Sequence, residues 1–402
     1  MGLGECLLGA AEARNVARVM RHGALFRYYG RGHQPSLGYV RRLEQQMARR
    51  HHLKYALGVS SGTAALEVAL GALGVGPGDE VILPVWSWVS CFTAIVRLGA
   101  RPVLAEVDDT LSLDPAEIDR LTTPATRGIL VVHYQGVAAD LNPILAHARR
   151  RKLWVLEDCA ESLGASYHGR QVGTFGDIAT YSFQQRKVIT SGEGGMVLTA
   201  GARLYERAVR MSDLGLYRDE HRAIQPAGVT SFAGSNYRLG ELAGAVGCAQ
   251  FARVPPMIRH LRRLRAIMQR NVGVLPGLVW RRIPDPAGDL GFDSYFFLPT
   301  HAQALALKAR AQARGVGLAP HTGTYCQYAR EYCQSGATQA AQFSPFAGIR
   351  PWPGPGYREQ DFPRTTDLVG RMVSVPLGAL FTAADAAHVG RVIREELAPL
   401  LA

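Results

Sequence analysis

The sequence predicts an α/β protein: a large domain with a mostly parallel sheet flanked by helices, then a smaller C-terminal α+β domain. Three observations predict it. From Ala56 to Asp158, short apolar runs of strand length alternate with apolar-periodic segments of helix length, which gives a largely parallel sheet covered on both faces. Near Pro255-Pro256 that pattern changes, and an arginine-rich amphipathic segment, Met257–Val272, leads into a region of different character. The chain has 402 residues, 47% hydrophobic and 19% charged, enough for a large core and a smaller one. The expected division is 1–255 and 256–402.

Taken in order, residues 1–55 are polar and helical in character, interrupted by Leu25-Phe26-Arg27-Tyr28-Tyr29-Gly30. Ala56–Ser60 is a strand, Ser61-Gly62-Thr63 supplies turn and cap residues, and Ala64–Leu73 is a helix. After the Gly76–Asp79 turn come strand Val81–Pro84, helix Ser87–Leu98 and strand Pro102–Val107. Asp114-Pro115 starts another helix, Ile129–His133 is a strand, Leu141–Arg149 a helix, and Leu153–Leu156 a strand ending in Glu157-Asp158. Ala179–Phe183 and Gly195–Thr199, β-branched and aromatic, are neighbouring strands. Beyond Val272, strands are expected near Tyr295–Leu298 and Val316–Ala319, with a closing helix from Ala383. Residues 334–360, rich in Gly, Pro, Ser and Gln, read as a long loop that is functional or mobile, with Trp352 and Tyr357 placed to cover an entrance.

Ligands of such sheets bind beyond the carboxyl ends of strands. Ser61–Thr63, Trp86–Trp88, His133 and Asp158 all fall there, so four strand ends are expected to face one crevice.

The formal net charge of +12 raises the question of nucleic acid. Its arginines are spread along the chain, with no basic tail or aromatic-basic RNA motif, so the reading is an arginine-rich protein biased toward anionic small molecules. No metal-ligand spacing and no CxxC pair occur among Cys6, Cys91, Cys159, Cys248, Cys326 and Cys333. Free thiols in a reducing compartment follow. No secretory leader and no membrane-length apolar run are read, and a cytoplasmic protein is expected.

One residue stands out. Only Lys54, Lys152, Lys187 and Lys308 among the 45 Lys and Arg are lysine, and Lys187 lies between two strands on a loop closing with Ser191-Gly192-Glu193-Gly194-Gly195. An ε-amine can lose its proton and form a Schiff base, which a guanidinium cannot do. That chemistry suggests pyridoxal phosphate, which needs a lysine, an acid at its ring nitrogen and a polar cradle for its phosphate. Asp158 is the candidate acid, although a strand-end aspartate also serves as a cap. Ser61-Gly62-Thr63 before a helix is the candidate cradle, and capping explains it as well. Ser182 could add a hydroxyl; Trp88 could lie on the ring face or pack in a core.

These residues carry a resemblance. The stretches SSGTAALEVALGALGVGPGDEVILP, Trp86-Ser87-Trp88, ILVVHYQGVAADL, VLEDCAESLGASYHGRQVGTFGD, YSFQQRKVITSGEGG, GSNYRLGELAGAVG and VSVPLG resemble the DegT/DnrJ/EryC1/StrS sugar and cyclitol aminotransferases of fold type I. The resemblance is dense over roughly residues 20–255. It implies that Lys187 forms the Schiff base, Asp158 faces the ring nitrogen and Glu161 lies near the cofactor hydroxyl, where many members have Gln or His. It places Trp88 on the ring, and Gly62, Thr63, Ala64 and Ser182 around the phosphate. Asn236 matches an asparagine donated by the neighbouring subunit, implying a homodimer with shared sites, to which Arg27-Tyr28-Tyr29 is a further candidate contributor. Tyr29, Arg186, His321 and Tyr325 are the candidate substrate contacts. The implied reaction moves an amino group from glutamate or glutamine to a keto acceptor. SFQQRK and LFRYYG resemble the branch acting on scyllo-inosose-type keto-cyclitols. A nucleotide-linked keto sugar is the alternative acceptor; a dehydratase-like enzyme and a non-catalytic cofactor-binding regulator are the alternative functions. His321–Cys326, Arg186 and the Trp352–Tyr357 loop depart from the family pattern and leave the substrate open.

Overall fold

The computed structural model describes residues 3–222, 227–320, 325–339, 344–346 and 356–401. Two helices, α1 (Ala10–His22) and α2 (Tyr39–Arg50), precede the alternating region. There follow β1 (Tyr55–Val59), α3 (Gly62–Leu73), β2 (Glu80–Pro84), α4 (Val89–Arg97), β3 (Arg101–Ala105), β4 (Thr126–Val132), α5 (Leu141–Arg151) and β5 (Trp154–Asp158). β6 (Ile178–Ser182), β7 (Gly195–Thr199), α6 (Ala202–Ser212) and α7 (Glu241–Phe251) complete the layer system. The seven strands form one sheet in the order β1-β7-β6-β5-β4-β2-β3. β7 runs antiparallel to both neighbours, and the remaining pairings are parallel.

The strands are apolar on both faces because both faces are covered. Leu57, Leu83, Leu104, Leu130 and Leu156 point into one core with Ala65–Leu70 of α3, Phe92 of α4 and Val209 of α6. Ile82, Val103, Ile129, Val131 and Val155 point the other way, onto Leu43 and Met47 of α2 and Ile144 of α5. Alternate residues along one strand thus feed separate cores, the period-2 signature of a pleat.

α8 (Val254–Val272) starts before the two prolines, which sit in its first turn, where a missing N–H breaks no helical bond. Its first half (Val254, Met257, Ile258, Leu261) joins the α2/α5 core, and its second (Leu264, Met268, Val272) joins a third core. That core packs β8 (Val279–Trp280), β9 (Ser294–Phe297), α9 (His301–Ala313), β10 (Ala319–Pro320), β11 (Met372–Val375) and α10 (Ala383–Leu401), with an antiparallel sheet in the order β8-β9-β11-β10. The strand expected at Val316–Ala319 is only the two-residue β10, paired with Ser374 and Val373; Val316 and Leu318 are buried ahead of it.

Tyr357 differs from expectation more sharply. It is buried, donating its hydroxyl to the Pro102 carbonyl at 3.1 Å and accepting the Leu104 N–H at 3.2 Å, so it anchors chain to β3 and covers no entrance. Trp352 lies outside the described residues.

Candidate active site

Lys187 sits on the loop between β6 and β7, and the loop is braced from two sides. Its own turn closes by Lys187 N–H to the Gln184 carbonyl at 2.9 Å. From the chain's start, Gly4 N–H donates to the Lys187 carbonyl at 3.0 Å, and Gln250 Nε2 donates to the Gly4 carbonyl at 3.1 Å. A Cβ on Gly4 would meet Thr190 N at 2.7 Å, so only glycine lets these two backbones lie together.

The side chain of Lys187 ends 3.1 Å from Glu161 Oε1, and Glu161 Oε2 accepts Gln135 N–H at 3.2 Å. Burial alone would push the Lys187 ammonium down; the Glu161 carboxylate outweighs it, with Asp158 and Cys91 adding, and its pKa is held above the ordinary lysine value. Asp158, at the end of β5, is buried and pulled upward by desolvation, against the Cys91 thiol, the Ala160 amide and the Lys187 charge. Its Oδ1 accepts Ala160 N–H at 3.0 Å and Thr180 Oγ1 at 3.5 Å, and its Oδ2 accepts the Cys91 thiol at 3.1 Å.

The first turn of α4 ties this acid to the start of α3. Cys91 reaches Asp158, and its neighbour Ser90 hydrogen-bonds Thr63 Oγ1 at 2.7 Å. At the α3 start, Ser61 Oγ accepts Ala64 N–H at 3.0 Å. Helix geometry leaves the Gly62 and Thr63 N–H groups without intrahelical acceptors, a ready anion cradle. Gly62 lies against β6: a Cβ there would come within 2.7 Å of Ser182 Cβ. Gly195 at the head of β7 permits the same closeness, since its Cβ would meet the Ser61 carbonyl at 2.3 Å. Gly62 and Thr63, with their free N–H groups, thus lie beside Ser182 at the head of the sheet, while the Ala64 N–H is taken by Ser61.

Trp88 caps α4 with its indole 52% exposed, although Trp86 two residues earlier is fully buried. The Trp86–Trp88 segment is held by the C-terminal region: Gln327 Nε2 donates to the Ser87 and Trp88 carbonyls at 2.9 and 3.2 Å, and Trp86 bridges Cys326. Tyr325 is brought to 5.9 Å from the Trp88 ring.

A family model described as the DegT/DnrJ/EryC1/StrS aminotransferase family matches residues 10–394. The chain belongs to this family. Among curated relatives, GDP-perosamine synthase of Escherichia coli O157:H7 is 38% identical over 59% of this chain and 64% of its own length. L-glutamine:2-deoxy-scyllo-inosose aminotransferase of Streptomyces kanamyceticus is 40% identical over 60% of this chain and 56% of its own. The chain therefore spans about 56–64% of these relatives' length. A crystal structure of 3-amino-5-hydroxybenzoic acid synthase superposes with a TM-score of 0.78 at 28% identity, covering 98% of this chain and 97% of that one.

The cofactor of the DegT/DnrJ/EryC1/StrS fold is pyridoxal 5′-phosphate, and the residues present fit it. The glycines at Gly62 and Gly195 leave room for a phosphate, the exposed indole suits a flat ring, and the Lys187 amine pairs with Glu161 near the buried Asp158 carboxylate.

Other expected residues fall elsewhere. His133 does not face the crevice. It is fully buried, its Nδ1 accepting Ala139 N–H at 3.1 Å and its Nε2 bonding Glu157 Oε2 at 2.9 Å. Glu157 also accepts the N–H groups of Gly173, Phe175 and Gly176, all at 2.7 Å, and is held below the usual carboxylate range against its burial. This knot shapes the chain leading into β6. Arg27 is no trans contributor: it is buried in its own chain, pairing with Glu44 at 2.9 Å and Glu220 at 3.4 Å. Tyr29 packs on Phe26 and His33 of its own segment. Asn236 is exposed in a strip running past the β1 exit, where Arg238 bridges Val59. Arg186 is exposed beside the lysine, and His321 lies outside the described residues. Ser90, Cys91 and Gln327 were not legible: each acts across a tertiary contact that no local pattern announces.

Proposed function

We propose that the protein is a pyridoxal-phosphate-dependent aminotransferase that moves the amino group of glutamine or glutamate to a small polyhydroxylated ketone, a keto-cyclitol or keto-sugar. The observation that carries this reading is Lys187 Nζ held 3.1 Å from Glu161, beside buried Asp158 and next to the Gly62–Ser182 cradle. When bound, pyridoxal phosphate supplies an aldehyde that carries the amino group and a ring that spreads the charge left by removal of a proton.

The chain supplies the rest. The Gly62 and Thr63 amides with Ser182 would hold the phosphate end, exposed Trp88 would cover the ring, and Asp158 would hold a proton at the ring nitrogen. Glu161 orients Lys187 from the hydroxyl side. Lys187 Nζ takes the proton from the donor's α-carbon, then returns a proton to the carbon of the ketone. We assign Tyr325, 5.9 Å from the Trp88 ring, and exposed Arg186 beside Lys187 to the two substrates, and Asn236 to the neighbouring subunit's site. With the division taken near residue 255, we assign the cofactor contacts to the first part and acceptor contacts such as Tyr325 to the second. Six free cysteines suit a cytoplasmic setting.

The named relatives divide between a free cyclitol ketone and a nucleotide-linked sugar. The test is a single-turnover assay. The visible band of the loaded enzyme should disappear with glutamine or glutamate and return with scyllo-inosose-type ketones. A band that no donor shifts overturns the transaminase reading; return only with nucleotide-linked keto sugars overturns the acceptor.

A further inference from the structure

Behind Glu161 lies a turn that the function above leaves unused. Tyr134-Gln135-Gly136 follows β4, and Gln135 adopts φ 50, ψ 50, a left-handed conformation uncommon for a residue with a side chain. In this turn Gln135 N–H donates to Glu161 Oε2, 3.2 Å away, while Glu161 Oε1 receives Lys187 Nζ.

The segment between α8 and β9 clasps this turn. Arg281 Nη2 donates to the Tyr134 carbonyl at 3.0 Å, and Leu290 N–H donates to the Gly136 carbonyl at 3.0 Å. A Cβ on Gly136 would lie 2.8 Å from Phe292 Cε1, so the fit is close. Arg281 is only 6% exposed. Its Nε donates to the Thr110 carbonyl at 2.8 Å, and its guanidinium lies over the rings of Tyr134 and Tyr295, at 5.7 and 5.6 Å. Among the described residues, Nη1 has no hydrogen-bond partner and Arg281 has no ion-pair partner. Burial pulls its pKa down to about 10. A buried guanidinium without a carboxylate is a costly way to pack a seam that an apolar side chain could fill.

We propose that Arg281 is a positioning residue for the Glu161–Lys187 pair, acting through the Tyr134–Gly136 turn. Placement of the C-terminal region is then linked to the proton held on Lys187. The consequence for turnover rests on the transaminase reading; the titration of Lys187 does not. The groups facing Lys187 are Glu161, Asp158 and Cys91, and those near Glu161 include Asp158, Tyr134, Asp293 and Tyr295.

The test is competitive acetylation of the full chain, purified without added cofactor, across pH and read by peptide mass. Lys54, Lys152 and Lys308 serve as internal references. Glu161→Gln sets the full effect. Arg281→Met should lower the Lys187 midpoint by about one pH unit, roughly tenfold more reactive amine at a given pH, with the reference lysines unmoved. Arg281→Gln, which keeps a donor, should move it less and serves where Arg281→Met fails to fold. Gln135→Gly keeps the N–H and suits the left-handed turn, so it should leave the midpoint in place. An unmoved Lys187 midpoint in a folded Arg281 variant overturns the proposal, as does an unmoved midpoint in Glu161→Gln. In the loaded enzyme the visible band's pH midpoint should fall in the same order. A shifted Lys187 titration in a protein that takes no cofactor on Lys187 would sink the transaminase reading and leave this one standing.

Discussion

Asp158 carries the sharpest tension between stability and function. Burial raises its pKa, and the Cys91 thiol, the Ala160 amide and the Lys187 ammonium only partly compensate. An acid whose folded pKa exceeds its unfolded value binds its proton more tightly when folded. Stability therefore falls as pH rises from the unfolded carboxylate range toward the folded value, and stays lower at neutral pH. Asp158→Asn should raise the melting temperature of the cofactor-free protein at pH 7.5 by about 1–3 °C, lose that advantage near pH 3, and abolish transamination. A calorimetric Tm at pH 7.5 below the parent's would contradict the account. Lys187 and Asp158 were legible because lysine scarcity and strand-end position are sequence properties. His133 shares that strand-end position and turns inward to Glu157, because sequence fixes where a strand stops but not which side its next residue takes. Ser90 and Cys91 were invisible for a related reason: their partners, Thr63 and Asp158, lie on other strand exits.

At the scale of elements, the alternation was readable because both faces of the sheet are buried and strands and helices differ in length. Boundaries moved by one to three residues where caps decide them, as at α3, which starts at Gly62 behind the Ser61 cap. What the sequence hid is how distant segments brace one another. The Gly4 segment on the lysine loop is such a brace, and Gly4→Ala would push Cβ into the Ile189–Thr190 backbone. Cofactor titration should show a several-fold weaker dissociation constant for Gly4→Ala. Gly9→Ala, whose Cβ meets nothing within 4 Å, should match the parent. Two histidines join elements in the same hidden way. His51 links α2 to β6 through the Tyr181 hydroxyl at 2.8 Å, and His221 lies between the Tyr205 and Tyr28 hydroxyls at 2.9 and 3.2 Å. Burial lowers them to about 4 and about 3. The unfolded chain takes up these protons near pH 6.5 and the folded one does not, so stability is lost as pH falls from about 6.5 toward 4, by several kcal/mol in total. His221→Gln should flatten that decline in urea titrations at pH 7, 5.5 and 4.5; an unchanged slope would exclude His221 as a cause.

At the scale of the molecule, one face remains to be accounted for. Leu214 and Leu216 are 54% and 46% exposed, and Leu214 N–H bonds the Ser235 carbonyl at 3.1 Å, next to exposed Asn236. Tyr28 donates to Asp213 at 3.1 Å, which brings Phe26 and half-exposed Tyr29 to the same neighbourhood. Arg218 lies over the Phe26 and Tyr28 rings and pairs with Asp213, so the patch is apolar with a polar rim. That composition is typical of a surface covered by another protein. Arg27, expected to reach a neighbour, turns inward from this patch and pairs with buried Glu44. The prediction is a homodimer in which Asn236 completes the partner's site. Leu214→Glu should shift the species seen by analytical ultracentrifugation from dimer to monomer and reduce turnover with it. Mixing Lys187→Ala with Asn236→Ala should restore part of the activity, because one hybrid site has both an intact lysine and an intact asparagine. If each parent is defective and subunits demonstrably exchange, yet the mixture stays inactive, each site belongs to a single chain and Asn236 has no role in its neighbour.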